Sequence, residues 1–558
     1  MITPERRQTW RPNLTMMVWS RAEHVDSLAD EDLFDVVVVG GGITGCGVAL
    51  DLSARGLRVA LVEQHDFASG TSSRSTKLFH GGIRYLPQFE FRLIAEGLHE
   101  QAVLSHIADY LFHPLEFVIP LFRQYGIADA PDWAARGRRA SAALRVGLIL
   151  YDLLGGRNRP GAKPRRLRPE EVLALVPRLR PEGLRVGYVY SDAQTDDARM
   201  VVAVARTAVE RYRAVAVGRM RANDLISEPW GYSVICTDTV GGQPVRIRAK
   251  TVVSATGAFP APTLPGARPL EIVASKGVHL VVERELLGIS DRAVVLPETE
   301  DDRVLYIIPW QGHALVGTTD TPYAGDVEHP VAAEEDIAYL VKHVRRYLDV
   351  GDFTPLSTFA GLRALVDSRE AITAQASREH VVTEPSPGYV QVAGGKLTTY
   401  RRISAEAAAK VTRHLGLKGR SPTEQIPLVG AGGDLSEVRS KLASLGYPGE
   451  AAAAATGRYG AEAMRLGEIV SESPDLLPTL SDGHTTMAEV IHAVRFESAV
   501  AISDFTLRRT HLAWLTSDHS RKDQETIGRL MGTELNWNPA ETDRQIAVHE
   551  AELASEGL

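Results

Sequence analysis

Gly40, Gly42 and Gly45 stand in the spacing G-x-G-x-x-G, and Glu63 follows eighteen residues after the last of them. Residue types at this spacing hold a dinucleotide. The first glycine permits a tight turn, the second lets backbone approach a pyrophosphate, and the third lets a helix pack on a strand, with phosphate charge at the helix N-terminus. The acid is placed to accept hydrogen bonds from an adenosine ribose. NAD and FAD share this geometry, and no lysine or arginine directly follows Glu63 to receive the extra phosphate of NADP.

Cations gather in three further blocks. SSRSTKLFHGGIRYL (Ser72 to Leu86) packs Lys77, His80, Arg84 and Tyr85 around Gly81 and Gly82, a pairing that implies backbone in close approach to a ligand. Arg363 in AGLRALVDSRE and Lys396 in VAGGKLTTYR sit in apolar or glycine-rich settings, where a charge needs an anion partner. A structural carboxylate would satisfy either one alone; Arg84, Arg363 and Lys396 together would hold a phosphate dianion. His279, in SKGVHLVV, enters an apolar strand, where a satisfied core histidine is the commoner role and a general base the sharper one. Gly257 closes the buried run TVVSATG, and Gly395 belongs to the pair before Lys396; both mark turns expected to approach a cofactor. Asp192, Asp196 and Asp197 crowd into SDAQTDDAR, and with Arg199 beside them the expectation is an ion-paired helix start and no metal.

The elements that must position these residues follow from periodicity. Asp35 to Val39 reads as a buried strand, Ile43 to about Arg55 as a helix closed by Gly56, and Arg58 to Glu63 as a second strand, which completes a right-handed βαβ unit. Further strands are expected at Val186 to Tyr190, Tyr232 to Thr237, Val278 to Val282, Val304 to Ile308 and Tyr389 to Val392. Helical patterns at Phe91 to Phe112, Asp197 to Tyr212 and Ser404 to Leu415 interrupt them. The fold class is therefore α/β: a Rossmann-like nucleotide-binding domain interleaved with an antiparallel-sheet substrate domain over residues 34–415. A Gly/Pro-containing linker (416–434) leads to an all-helical C-terminal domain (435–558), and residues 1–33 read as an N-terminal tail.

Composition sets limits. With 558 residues, 44% hydrophobic and 24% charged, the chain is an ordinary multidomain globular protein and excludes collagenous, coiled-coil and wholly disordered classes. Its formal charge of −8 gives no global attraction for nucleic acid. Cys46 and Cys236 form no CxxC pair, which disfavours a metal knuckle or disulfide framework and favours a reducing compartment. Neither Leu14 to Trp19 nor Val36 to Leu52 is long and uninterrupted enough for a signal peptide or a spanning helix. Arg136 to Arg168 carries ten Arg/Lys against the single acid Asp152, around the apolar run Val146 to Leu154; it reads equally as a solvated basic linker beside a core helix and as a membrane-surface segment.

In the order GGGITGCG, TSSRSTKLFHGGIRYL, YSDAQTDDAR, SKGVHLVV, IIPWQGHALVGTTDT, GLRALVD, GGKLTTYR and VRFESAVAISDFTLRRT, the sequence resembles the FAD-dependent, membrane-associated glycerol-3-phosphate dehydrogenases of the glycine-oxidase-like DAO flavoprotein group, from about Asp35 to Leu515. The resemblance implies that Gly40, Gly42, Gly45 and Glu63 bind the ADP half of FAD, with Ser72, Ser73, Lys77 and Leu397 near the cofactor. It implies that Arg84, Tyr85, His279, Arg363 and Lys396 line the substrate side, His279 being the first choice as base and Lys396 the second, with Arg84 beside them. The reaction implied is oxidation of sn-glycerol 3-phosphate to dihydroxyacetone phosphate, with hydride going to FAD and electrons to a membrane quinone; oxygen as acceptor would make an oxidase. A cytoplasmic enzyme, peripheral on the inner face of the cell membrane and homodimeric, is the expectation that follows. Ala364 departs from the family's usual proline beside the arginine of the GLRALVD block.

Overall fold

The structure is a computed structural model of the chain and describes residues 19–29, 33–83, 90–128, 130, 137–156, 161–268, 270–366 and 380–558. Arg84 and Tyr85 lie outside the described residues.

The β-branched run Phe34–Val39 forms the middle of a sheet whose order is Val381–Ser386, Tyr389–Ala393, Pro244–Ser254, Phe34–Val39, Val59–Val62, Val215–Val217. The last five strands of that order run parallel. Alternate side chains of Phe34–Val39 face opposite ways, as strand geometry requires. Val36 and Val38 join an apolar cluster with the helices Ile43–Ala54, Asp197–Tyr212 and Tyr400–His414. Val37 and Val39 join Leu225, Val234 and Ile247 of the antiparallel ribbon Met220–Glu228, Gly231–Asp238, Pro244–Ser254 on the other side. Both faces are covered, which is why the strand is apolar without alternation.

A second, ten-stranded sheet has the order Thr321–Tyr323, Ile272–Glu283, His313–Gly317, Leu305–Trp310, Ala293–Leu296, His113–Phe122, Leu184–Gln194, Leu78–Phe79; Ser357–Val366 pairs with Ile272–Glu283, and Arg165–Leu167 with Leu184–Gln194. Its pairings are antiparallel except Ala293–Leu296 with His113–Phe122 among the described residues. The chain crosses between the two sheets several times, so the nucleotide-binding and antiparallel layers are interleaved. From Leu435 to Ser555 the elements are helical, with two apolar clusters of their own. Trp514 and Leu553 leave those clusters and enter the core of the antiparallel sheet.

Two segments, the N-terminal tail and the linker, differ from the reading of the sequence. The N-terminal tail is packed from Trp19 onward: the buried Trp19 indole donates to Ala216 O at 2.9 Å, and Arg21–Ala29 continues as a helix whose Arg21 pairs with Asp238 at 2.6 Å. The linker after Gly416 is seated as well, because Leu428 is buried and its N–H reaches Ile107 O at 2.7 Å. The basic stretch around residues 136–168 holds a 19-residue helix, Gly137–Gly155, and the strand Arg165–Leu167.

Candidate active site

One cavity of about 430 Å³ runs from the Gly40 loop to the antiparallel sheet. At its first end Gly40 and Gly42 precede the helix Ile43–Ala54, Glu63 closes the strand Val59–Val62, and all three residues line the wall. Gly40 has φ +109°, and a β-carbon there would stand 2.5 Å from Ala255 O. A β-carbon on Gly45 would stand 1.8 Å from Gly40 O, so the third glycine serves the packing of helix on turn and does not itself reach the cavity. The Glu63 carboxylate accepts from Gly41 N at 2.6 Å and His65 N at 2.9 Å, and burial pushes its pKa up. Each oxygen keeps a further lone pair for a ribose hydroxyl. A bare turn with its glycines forced by backbone contact, at a helix N-terminus and beside a cavity-facing acid, fits the ADP half of a dinucleotide.

Toward the middle, Ser72, Gly257, Gly395, Lys396 and Leu397 line the same cavity. Gly394 and Gly395 both have positive φ, 72° and 93°, and they bring the chain into the turn Leu397–Thr399 and then the helix Tyr400–His414.

At the far end His279 and Arg363 come from the neighbouring strands Ile272–Glu283 and Ser357–Val366, where His279 is opposite Phe359 and Ser275 opposite Arg363. On its other side His279 faces Gly317, where a β-carbon would stand 2.3 Å from the imidazole Cδ2. The imidazole is buried; Nε2 is 3.0 Å from Thr76 Oγ1, Nδ1 has no hydrogen-bond partner, and the ring stacks on Phe359. Burial, then the charges of Arg363 and Lys77, push its pKa down to about 3, so it is neutral at physiological pH. The ordinary value near 6.5 therefore does not describe this histidine. Arg363 donates to Asp320 Oδ1 at 3.3 Å, Thr319 O at 3.1 Å and Thr318 Oγ1 at 3.3 Å.

Two residues expected beside the cofactor stand behind the wall instead. Lys77 is fully buried, bonded to Asp197 Oδ1 at 2.6 Å and to Ser73 O at 2.9 Å; Ser73 is buried with it, and Asp197 is the member of that group that lines the cavity. A buried ammonium needs its carboxylate within reach, and the partner here is 120 residues away in the chain. The close approach at Gly81 is likewise to protein, since a β-carbon there would stand 2.2 Å from Tyr151 Oη. The three aspartates diverge: Asp192 accepts from Tyr151 and Gln101, Asp196 caps the helix Asp197–Tyr212 and meets His511, and Asp197 holds Lys77. Arg199 pairs with Glu497 rather than with any of them. Thr76 and Arg74, which no sequence signal set apart from ordinary polar residues, also belong to the cavity, and so does Asp320 at the end of the GTTD turn.

A dinucleotide cradle whose cavity ends on a neutral histidine and an arginine defines a nucleotide-dependent oxidoreductase. Residues 35–401 match the model of the FAD dependent oxidoreductase family (DAO), and residues 421–542 that of the C-terminal domain of alpha-glycerophosphate oxidase. The glycerol-3-phosphate dehydrogenase of Mycobacterium leprae is 35% identical, over 100% of this chain and 94% of its own length. The mitochondrial glycerol-3-phosphate dehydrogenase of Homo sapiens is 34% identical, over 94% and 74%. The solved glycerol-3-phosphate dehydrogenase of Bacillus halodurans, complexed with FAD, superposes with a TM-score of 0.77 at 26% identity, covering 96% of this chain and 98% of that one. The chain belongs to the FAD-dependent glycerol-3-phosphate dehydrogenase family, and its cofactor is FAD.

Proposed function

We propose that the protein oxidises sn-glycerol 3-phosphate to dihydroxyacetone phosphate and passes the electrons to a quinone. The observation that carries this reading is that the cavity beginning at Gly40 and Glu63 ends on His279 and Arg363. FAD, when bound, supplies the acceptor for the hydride that leaves C2. Arg363 holds the phosphate, aided by Lys396 and by Arg84, so that binding energy remote from the reacting carbon aims C2. His279 takes the proton of the C2 hydroxyl. The carbonyl forms as the C–H and O–H bonds of C2 break, with the hydride and the proton leaving to different acceptors.

Burial and the neighbouring cations keep His279 unprotonated in the free protein, ready to accept a proton but less basic than an ordinary imidazole. Two of the three causes of its low pKa are burial and the field of Arg363, and a phosphate dianion on Arg363 offsets that field. The imidazole is thus a weak base in the free protein and a stronger one when substrate is present, which couples proton removal to binding.

The division of labour in this proposal assigns residues 34–415 to FAD and substrate and 435–558 to a helical support. The proposed place of work is the cytoplasmic face of the cell membrane; among the described residues no helix is long and apolar enough to span a bilayer. The helix Gly137–Gly155 supports surface attachment. Its inner face buries Leu148 and Tyr151, yet Val146, Ile149 and Leu153 on the opposite face are 66%, 49% and 71% exposed. Arg139 and Arg145 are exposed on the same helix, so the outward face is apolar and cationic, which suits an anionic lipid surface.

Anaerobic mixing of the yellow holoprotein with glycerol 3-phosphate, and separately with glycerol, tests the substrate. The phosphorylated compound is expected to bleach the flavin far more efficiently; equal efficiency would remove the phosphate from the reading. Adding a quinone analogue or oxygen to the bleached protein then identifies the acceptor, and faster recovery with oxygen would make the protein an oxidase.

A further inference from the structure

Four aromatic rings form a continuous stack from the cavity into the C-terminal helical region. His279 stacks on Phe359 with centroids 4.9 Å apart and planes at 19°, Phe359 on Trp514 at 4.9 Å and 29°, and Trp514 on His511 at 5.5 Å and 11°. All four rings are buried. Trp514 belongs to the short helix Leu512–Leu515, and its carbonyl accepts from Ser357 Oγ at 2.7 Å, at the start of the strand that carries Phe359. The Lys77 ammonium lies 4.9, 5.5 and 5.7 Å from the centroids of Trp310, Phe359 and Trp514 and is anchored to Asp197. The far ring is anchored too, since His511 Nε2 is 2.9 Å from Asp196 Oδ2 and Nδ1 is 3.0 Å from Leu507 O.

His279 needs such support. One of its ring nitrogens meets Thr76 Oγ1, and the other, buried, has no protein partner. A single hydrogen bond leaves an imidazole free to tilt about that bond; a flat ring against its face removes the tilt. Phe359 supplies the face, and Trp514 in turn stacks on Phe359.

We propose that Trp514 is a positioning residue: through Phe359 it fixes the plane of the His279 imidazole toward the substrate, which makes the C-terminal helical region a working part of the active site. The inference rests on His279 as the base and deepens that reading by assigning its support to a residue 235 positions away.

The test is the anaerobic rate of flavin reduction by glycerol 3-phosphate, with substrate affinity taken from its concentration dependence. Holoprotein carrying Trp514→Leu is expected to retain FAD and substrate affinity and to lose about 10- to 100-fold in reduction rate, the scale of a small misplacement of a reacting group. Trp514→Phe, which restores a ring, is expected to recover most of the rate. In a His279→Gln background Trp514→Leu is expected to cost nothing more, because the two act through one path. An unchanged rate in Trp514→Leu overturns the proposal, and so does the same fractional loss in both backgrounds, which would mark general damage. Should Trp514→Leu fail to fold, Phe359→Leu is judged by the same criteria. A wild-type rate in His279→Gln removes the base and this inference with it; a slow His279→Gln beside a wild-type Trp514→Leu removes this inference alone.

Discussion

The guanidinium of Arg363 lies across the backbone of Gly277: a β-carbon on Gly277 would stand 2.6 Å from Arg363 Nη2 and 2.8 Å from Thr318 Oγ1. The two residues sit on paired strands, Gly277 opposite Gly361 and Arg363 two places further along. The missing side chain is what lets the cation lie flat beside Thr318 and Asp320 while facing the cavity.

Gly277→Ala therefore moves the guanidinium and leaves the FAD cradle untouched. The KM for glycerol 3-phosphate is expected to rise about tenfold, a part of the worth of a hydrogen bond to a charged group, while FAD content stays constant. Steady-state kinetics beside the flavin spectrum check this, and an unchanged KM would take Arg363 out of substrate binding.

Glu497 is buried and receives the Arg199 guanidinium at 2.6 and 2.7 Å, with Arg509 Nε at 3.5 Å and Arg206 at 3.8 Å. Arg199, the largest favourable influence, holds its carboxyl down at about 2 against burial. Glu497→Gln leaves several buried cations short of an anion and is expected to destabilise the protein by about 3 to 5 kcal/mol. Because Arg199 belongs to the helix Asp197–Tyr212, the loss should appear as a lower melting temperature and faster proteolysis within 416–434. A melting temperature equal to wild type would contradict it.

Acid is expected to destabilise the fold through buried histidines. Burial lowers the pKa of His24, His343 and His492, takes His279 to about 3 and His549 to about 4. A folded pKa below the unfolded value of about 6.5 means that the unfolded chain binds more protons below that pH. The stability these groups contribute is complete above about pH 6.5 and is lost as pH falls toward 4 and 3. Melting temperatures at successive pH values should fall steadily across this window; a flat profile from neutrality to pH 4 would show that these rings are not held neutral.

Much of the nucleotide end was legible because its signals are local. The G-x-G-x-x-G spacing, the β-branched strand before it and Glu63 after it lie within thirty residues, and the helix Asp197–Tyr212 carries its own capping aspartate. The far end was only half legible. His279 and Arg363 announced themselves as polar groups in apolar strands, but their partners Thr76, Asp320, Phe359 and Trp514 come from remote stretches, and only the fold brings them together. Lys77 stood out as one of several donors crowded beside paired glycines; its partner, Asp197, reaches it only across the fold. The strand His113–Phe122 was hidden by Pro114 and Pro120, which fall away from its short parallel pairing at Phe117 and Val118.

The outward face of the helix Gly137–Gly155 is expected to hold the protein on anionic vesicles. Val146→Glu combined with Leu153→Glu should abolish co-sedimentation with such vesicles while turnover with a soluble quinone analogue stays at the wild-type level. Undiminished co-sedimentation would move the attachment elsewhere.

In the proposed reaction hydride and proton leave one carbon in the cavity that joins the FAD cradle to His279. Its most direct measurement is the anaerobic bleaching rate with glycerol 3-phosphate deuterated at C2, in wild type and in His279→Gln. The expected result is that deuterium slows bleaching in wild type and that His279→Gln, still yellow, bleaches about 10²- to 10⁴-fold more slowly. Bleaching that ignores both the isotope and the substitution would contradict it.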